Sequence, residues 1–231
     1  MDLTVATFNL YGLNQGLSML AELCQTCNII FVQEHWLLPS DLERLAAVDC
    51  KFTSISSSAM ENTIGRGVLR GRPFGGVAIL VENRFMHCLN ILAKLDRIIA
   101  IKVANCVFIN VYFPVLNCVS YDDTMTELVV IIDGILSENL GCNIILGGDF
   151  NLEFINELSQ RQIFNDFVRA ARLRLCDSRV VGSTQYTYLS GAHNSTSFID
   201  HFFVNVSLLD NVEASEVIDS GWCYTFLTAY Q

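Results

Sequence analysis

The sequence predicts an α/β protein, specifically a two-sheet α/β sandwich with flanking helices. Hydrophobic residues make up 52% of the 231 positions and charged ones only 16%, so most elements must be buried on at least one side. Apolar segments of strand length alternate with segments of helical periodicity, the pattern of α/β architecture. Several strand segments also follow one another with no helix between them, as hairpins do, and this favours two packed sheets over a single doubly wound one.

Residues 3–9 read as a strand, and Leu17, Leu20, Leu23, Cys24 and Cys27 recur at helical spacing, predicting a core-facing helix over 16–27. The apolar run at 28–33 has strand length and is followed by a short helix at 40–47 and a strand at 51–56. After a polar loop at 57–74, strands are predicted near 75–81, 84–92, 96–104 and 106–113. Residues 121–139 form an amphipathic helix, with Asp122, Asp123 and Glu127 near its positive end and Leu128, Ile131, Ile132 and Ile135 on one side. A strand at 142–148, a helical region within 155–171, an irregular loop to about 190 and strands near 197–204 and 212–219 complete the pattern. There is no internal repeat or low-complexity tract, and the three prolines, at 39, 73 and 114, stand beside predicted turns, so one domain over 1–231 is expected.

The net charge of −10 is unusual for a nucleic-acid binder, which ordinarily presents a basic surface that releases counterions from phosphates. Local basic candidates are Arg66, Arg70 and Arg72 in a glycine-punctuated loop, and Arg161, Arg169, Arg172, Arg174 and Arg179 further on. They read equally as a phosphate-facing rim or as a solvated face. Nine cysteines are scattered through apolar patterns, and the Cys24/Cys27 pair lies on a helical pattern with no second pair. Buried free thiols in a reducing, intracellular compartment are therefore expected over a zinc site. No charged leader followed by an apolar segment opens the chain, and the most apolar stretch, Ile98 to Pro114, is broken by Lys102 and two asparagines, so no membrane span is expected.

The chemistry concentrates at Ile145-Leu146-Gly147-Gly148-Asp149-Phe150-Asn151, where an apolar strand runs into two glycines and then an acid and an amide two positions apart. Side chains at i and i+2 of an extended segment share a face, so Asp149 and Asn151 are expected to converge. An Asp can orient or deprotonate a water and an Asn amide can donate to an anionic oxygen, a pairing suited to attack on a phosphoester. Glu34, ending the run Ile29-Ile30-Phe31-Val32-Gln33, offers a rigid oxygen ligand for Mg²⁺ or Mn²⁺. Polar residues end other strand segments too: Phe8-Asn9, Val111-Tyr112-Phe113-Pro114 and Ser197-Phe198-Ile199-Asp200.

Taken in order, Asn9, Glu34, Tyr112, Asp149 with Asn151, and Asp200 resemble the endonuclease/exonuclease/phosphatase family, and within it the endonuclease domains of non-LTR retrotransposons and their abasic-site endonuclease relatives. The resemblance runs from residue 3 to about 220. It implies a metal-dependent phosphodiester hydrolase acting on DNA, with Glu34 and Asn9 arranging the metal and Tyr112, Asp149, Asn151 and Asp200 as catalytic residues. Thr187 matches a threonine that the family places near the substrate, and Arg72, from the glycine-punctuated loop, is the basic candidate for facing it. It also implies a reverse transcriptase domain in a longer parent protein and is compatible with a nuclear location.

The pattern then breaks. Family members carry a Ser-Asp-His motif just before a last strand, whereas here Glu216-Val217-Ile218-Asp219-Ser220-Gly221-Trp222 leads into Cys223-Tyr224-Thr225-Phe226-Leu227 and no Ser-Asp-His occurs. The end of the domain is thus expected to be truncated or altered after about residue 222, the family's C-terminal strand missing or replaced, and nuclease activity impaired. His201 and His35 each follow an acid and are expected to face away from it, and His193 lies in a polar loop. Two alternatives stand beside the impaired nuclease: an inactive remnant with a binding role only, and a phosphatase or lipid phosphodiesterase of the same family.

Overall fold

In the computed structural model, residues 2–61, 71–116, 118–155, 158–159, 161–176, 186–190, 194–219 and 223–230 are described. Two six-stranded sheets dominate. In the first, β1 (Asp2–Asn9), β2 (Ile29–Gln33), β3 (Phe52–Ser57), β4 (Val77–Glu82), β15 (Val212–Asp219) and β16 (Cys223–Tyr230) run in the order β15-β16-β1-β2-β4-β3. In the second, β5 (Leu89–Lys94), β6 (Ile98–Val103), β7 (Cys106–Tyr112), β8 (Asn143–Asp149), β11 (Leu173–Leu175) and β14 (Asp200–Asn205) run in the order β11-β14-β8-β7-β6-β5. Two small hairpins, β9 (Phe154–Ile155) with β10 (Leu158–Ser159) and β12 (Tyr188–Ser190) with β13 (Ser195–Ser197), are set outside them. The expected two-sheet sandwich is the fold.

Each sheet is covered on both sides, which is why the central strands read as continuous apolar runs rather than alternating ones. Val5, Phe31, Ile79, Ile101, Phe108, Ile145 and Phe202 fill the space between the sheets. The outer face of the first sheet, through Phe8, Ile30, Val32 and Leu80, packs on Leu20, Leu23 and Cys24 of α1 (Leu13–Thr26). The outer face of the second, through Ile109, Val111 and Leu146, packs on Met125, Leu128 and Ile132 of α3 (Tyr121–Glu138) and Phe164 of α4 (Gln162–Ala170). Two single-turn helices, α2 (Glu43–Ala46) and α5 (Val206–Leu209), finish the α content among the described residues.

The segment predicted as a strand over 84–92 begins instead as a 3₁₀ helix, Asn83–Cys88, and becomes strand only at Leu89. Arg84 turns back onto Glu82 with Nε 2.8 Å from Oε2, and the His87 ring bonds the Arg84 carbonyl at 2.8 Å, so local side-chain bonds hold the turn against extension. The larger correction is at the end of the chain. A strand is not missing: β16 pairs antiparallel with both β1 and β15, with Leu227 and Ala229 buried in the core. The sheet position is thus filled, and β1 is paired on both sides.

Candidate active site

The site forms where the sheets meet at one end of their strands, and register decides who faces whom. On the second sheet, Tyr112, Asp149 and Asp200 sit opposite one another on β7, β8 and β14. Directly paired residues project to the same face, so these three side chains line one row. On the first sheet, Asn9 pairs with Gln33 at the ends of β1 and β2, and Glu34 follows at once.

The two rows meet through one amide. Asn9 Nδ2 donates to Glu34 Oε1 at 3.0 Å and to Asp149 Oδ2 at 2.9 Å, joining acids 115 positions apart in sequence through a residue of β1. The Tyr112 hydroxyl donates to the same Glu34 Oε1 at 3.0 Å, and the Trp36 indole N–H donates to Oε2 at 3.0 Å. Glu34 is half-buried and held by three donors, so its carboxylate is oriented before any ligand arrives.

Asn151 reaches the site by a different route from the one expected. The strand ends at Asp149, and Asn151 adopts left-handed backbone at φ 49° with its N–H donating to Asp149 Oδ1 at 2.9 Å. A turn closed on the Asp side chain, not extended alternation, brings the pair together. The Asn151 amide donates to the Phe113 carbonyl at 2.9 Å, fixing its orientation. Glu34 at φ 53° and Trp36 at φ 54° are also left-handed, so backbone strain gathers at this rim.

Burial pushes the Asp149 carboxyl up to about 6, with the Glu34 charge adding to the rise and the Asn9 and Asn151 donors opposing it. It is therefore poised near neutrality, where a proton acceptor is most useful. The Tyr112 hydroxyl is driven far above its ordinary range, first by burial and then by the charges of Glu34 and Asp149. It stays protonated and acts as a donor.

Asp200 is buried at the start of β14, and its N–H donates to Thr187 Oγ1 at 3.0 Å, as does that of Ile199 at 2.9 Å. Thr187 is itself buried, so its hydroxyl shapes the chain leading into Asp200. Arg72 is exposed, its guanidinium carbon 4.3 Å from the Trp36 ring centre. Arg161 faces Tyr121 and Asp122, and Arg169 pairs with Asp166 on its own helix. Arg66, Arg70, Arg179, His193, Ser220 and Trp222 lie outside the described residues.

Neither described histidine beside an acid turns toward the site. His201 is buried with its Nε2 2.9 Å from the Leu152 carbonyl oxygen, among Phe150, Phe154 and Phe198. His35 is buried between Ser57 and Leu37.

Sequence reasoning missed four contributors. Trp36 and Arg97, whose guanidinium lies 5.2 Å from the Tyr112 ring centre and donates to the Tyr112 carbonyl at 3.2 Å, touch the site residues themselves. Gln33 and Asn110 lie beneath them, wholly buried between the sheets, with Gln33 Nε2 donating to Asn110 Oδ1 at 2.6 Å. Asn110 in turn donates to the carbonyls of Val32 and Ala78, at 3.0 and 2.8 Å. A polar side chain inside an otherwise apolar strand was the available signal, since such a group is buried only with partners.

The donor set suits a hard divalent cation. Among the described residues no group of three or more His, Cys, Asp and Glu side chains converges. Mg²⁺ does not need one: it is commonly held by one or two carboxylates, with water and substrate phosphate completing its shell. Glu34, with Asn9 and Asp149 beside it, offers oxygen ligands of that kind.

The fold agrees with the comparison to known proteins. A model of the endonuclease/exonuclease/phosphatase family matches residues 6–221, and the chain belongs to that family. No curated protein matches it. Among solved structures, it is similar to a 3′ phosphatase from Neisseria bound to a product DNA hairpin, with TM-score 0.75 and 17% identity, covering 99% of this chain and 100% of that one. It is also similar to an AP endonuclease from Archaeoglobus fulgidus, with TM-score 0.70 and 14% identity over 99% and 100% of the two chains. A third, an AP endonuclease from Leishmania major, has TM-score 0.72 and 14% identity over 100% and 88%. At these identities the likeness is one of fold.

Proposed function

We propose that the chain is a Mg²⁺- or Mn²⁺-dependent phosphodiester hydrolase acting on DNA, an endonuclease domain of non-LTR retrotransposon origin. The observation that carries this reading is the single amide of Asn9 bridging Glu34 and Asp149, with the Tyr112 hydroxyl on the same Glu34 oxygen. That is a preorganised oxygen-rich rim of the sort phosphodiester hydrolysis requires. A reverse transcriptase domain in a longer parent protein, and a nuclear place of action, accompany this origin.

Bound at Glu34 with Asn9, the divalent ion would neutralise charge on the phosphate oxygens. Asp149 orients the attacking water and accepts its proton, which its raised pKa permits near neutral pH. With Glu34 engaged by the ion, the single Tyr112 hydroxyl proton would turn from Glu34 Oε1 to a phosphate oxygen, and Asn151 holds the Asp149 carboxylate in place through its N–H while its side chain borders the phosphate. Asp200, in register with Asp149, completes the row. Thr187 supports Asp200, and Arg72 meets the substrate from the rim.

The missing Ser-Asp-His motif leaves the chain without the family's acid-histidine pair, so its turnover is low. The test is metal-dependent nicking of supercoiled plasmid by the purified protein. Nicking is expected at high protein concentration with Mg²⁺ or Mn²⁺, is lost with EDTA, and falls at least about 1,000-fold in Asp149→Ala, since members of a catalytic constellation act as a unit. Nicking that survives Asp149→Ala would refute the assignment. Absence of any nicking by the intact chain would leave the binding-only reading, and release of phosphate from lipid substrates would favour the third branch of the family.

A further inference from the structure

Beyond orienting Glu34 and meeting the substrate from the rim, Trp36 and Arg72 form a cluster with Tyr11 beside the site. The Tyr11 ring lies 4.9 Å from that of Trp36 at an angle of 54°, and the Arg72 guanidinium carbon lies 4.3 Å from the Trp36 ring. Tyr11 is 51% exposed and Arg72 is exposed as well. The cluster is tied to the acidic site by two hydrogen bonds already formed: Trp36 Nε1 to Glu34 Oε2 at 3.0 Å, and the Tyr11 N–H to Asn9 Oδ1 at 3.0 Å. The Arg72 segment is anchored too, because the Trp36 N–H donates to the Gly75 carbonyl at 3.0 Å.

Tyr11 stands at φ 50° and Trp36 at φ 54°. Left-handed backbone is costly for bulky aromatic residues, and here it presents a large ring to water instead of to the core. An exposed ring backed by an indole and a guanidinium is a surface for a flat π ligand. The chain's charge of −10 argues for the same kind of ligand. Binding to duplex DNA through counterion release needs many cations, whereas base stacking needs few.

The geometry points to Tyr11, Trp36 and Arg72 as a platform on which an unpaired base of DNA stacks, setting the adjoining phosphate at Glu34 and Asp149. This rests on the nucleic-acid reading above and narrows it. Bases inside a duplex have both faces covered by their neighbours, so ends, gaps and single strands are the preferred substrates.

Trp222→Phe leaves Trp36 as the one tryptophan of the two in the chain. The emission of that protein is titrated in EDTA with a single-stranded deoxyoligonucleotide, a blunt duplex of equal length and the RNA of the same sequence. Single-stranded DNA is expected to quench Trp36 saturably, with affinity at least about fivefold above the duplex and falling less than about tenfold between roughly 50 and 200 mM salt. Tyr11→Asn, which tolerates the left-handed backbone, weakens binding about tenfold, while Tyr11→Phe keeps it and so separates loss of the ring from misfolding.

Absence of quenching, equal affinity for the blunt duplex, tighter binding of the RNA, or unchanged affinity in Tyr11→Asn would each overturn the platform. Because binding in EDTA involves no hydrolysis, nicking without quenching rejects the platform alone, and quenching without nicking rejects the hydrolase alone.

Discussion

Asp149 and Asn151 were named from their spacing, yet their convergence depends on one left-handed residue, which a periodicity of two does not describe. The same limit hid Trp36, whose indole reaches Glu34 only because both residues leave the extended region. At this scale His35 gives a pH prediction. Its Nδ1 accepts the Leu37 N–H and its Nε2–H donates to the Ser57 carbonyl, both at 3.0 Å, so the buried ring is neutral and burial lowers its pKa from 6.5 to about 4. The unfolded chain then binds a proton at higher pH than the folded one. The stability this confers is complete above pH 6.5 and declines as pH falls toward 4, by about 3 kcal/mol at most. The raised carboxyl of Asp149 works in the opposite sense, losing stability as pH rises from 3.8 toward 6, so the wild-type profile alone would mislead. Urea unfolding in EDTA of the wild type and His35→Gln at pH 7 and 4.5 isolates the histidine: the advantage of the wild type should shrink by about 2 kcal/mol at the lower pH. A second residue-scale prediction concerns the lost motif. In sequence, Asp219 ends β15 and Ser220 follows it ahead of the last strand, where the family's Asp-His is expected, and Ser220→His should raise plasmid nicking at least about tenfold. No gain in rate would show that the site is impaired elsewhere.

The core elements were legible because their apolar periodicity is strong and long, as in α1, α3 and the paired strands β6 and β7. Shorter pieces were not: β11 is three residues within a predicted loop, and α5 is a single turn. The final strand, β16, was hidden by a different cause. Thr225, Leu227 and Ala229 alternate plainly, buried while Phe226 and Thr228 are only half-buried, but the partner strand β1 stands at the opposite end of the chain, where no local pattern reports the pairing. Element geometry also explains the glycine before the acid. Gly148 sits at φ 137°, and a Cβ there would lie 2.1 Å from the Val111 carbonyl oxygen on the parallel neighbour β7. Backbone cannot yield as a flexible side chain does. Gly148→Ala should therefore cost about 3 kcal/mol or more in urea unfolding and abolish nicking, because Tyr112 and Asp149 would lose register. A stable, active Gly148→Ala protein would show that the close approach of β7 and β8 is unnecessary.

Across the whole molecule, three apolar clusters enclose or cover the two sheets, and the scattered cysteines largely belong to them. Cys24 and Cys27 are buried on and just after α1, and burial pushes both thiols up to about 12, so neither is a thiolate at neutral pH. Both side chains pack in the apolar layer between α1 and the first sheet. Cys50 and Cys118 are exposed. Iodoacetamide under native conditions, read by mass spectrometry, should label Cys50 and Cys118 within minutes and Cys24 and Cys27 only after unfolding, since reaction needs both exposure and thiolate. Native labelling of the α1 pair would mean that this layer opens readily. Among the described residues no helix is long and apolar enough to cross a membrane. The sequence by itself determined the class of fold, the identity of the acids and amides at the strand ends, and the loss of the Ser-Asp-His motif, because each is a local property of residue type and order. Only the tertiary structure decided that Asn9 bridges Glu34 and Asp149, that Gln33 and Asn110 join the sheets beneath them, and that β16 fills its place beside β1. Those are matters of register and sheet packing, set by contacts between residues too far apart in the chain for any local pattern to report.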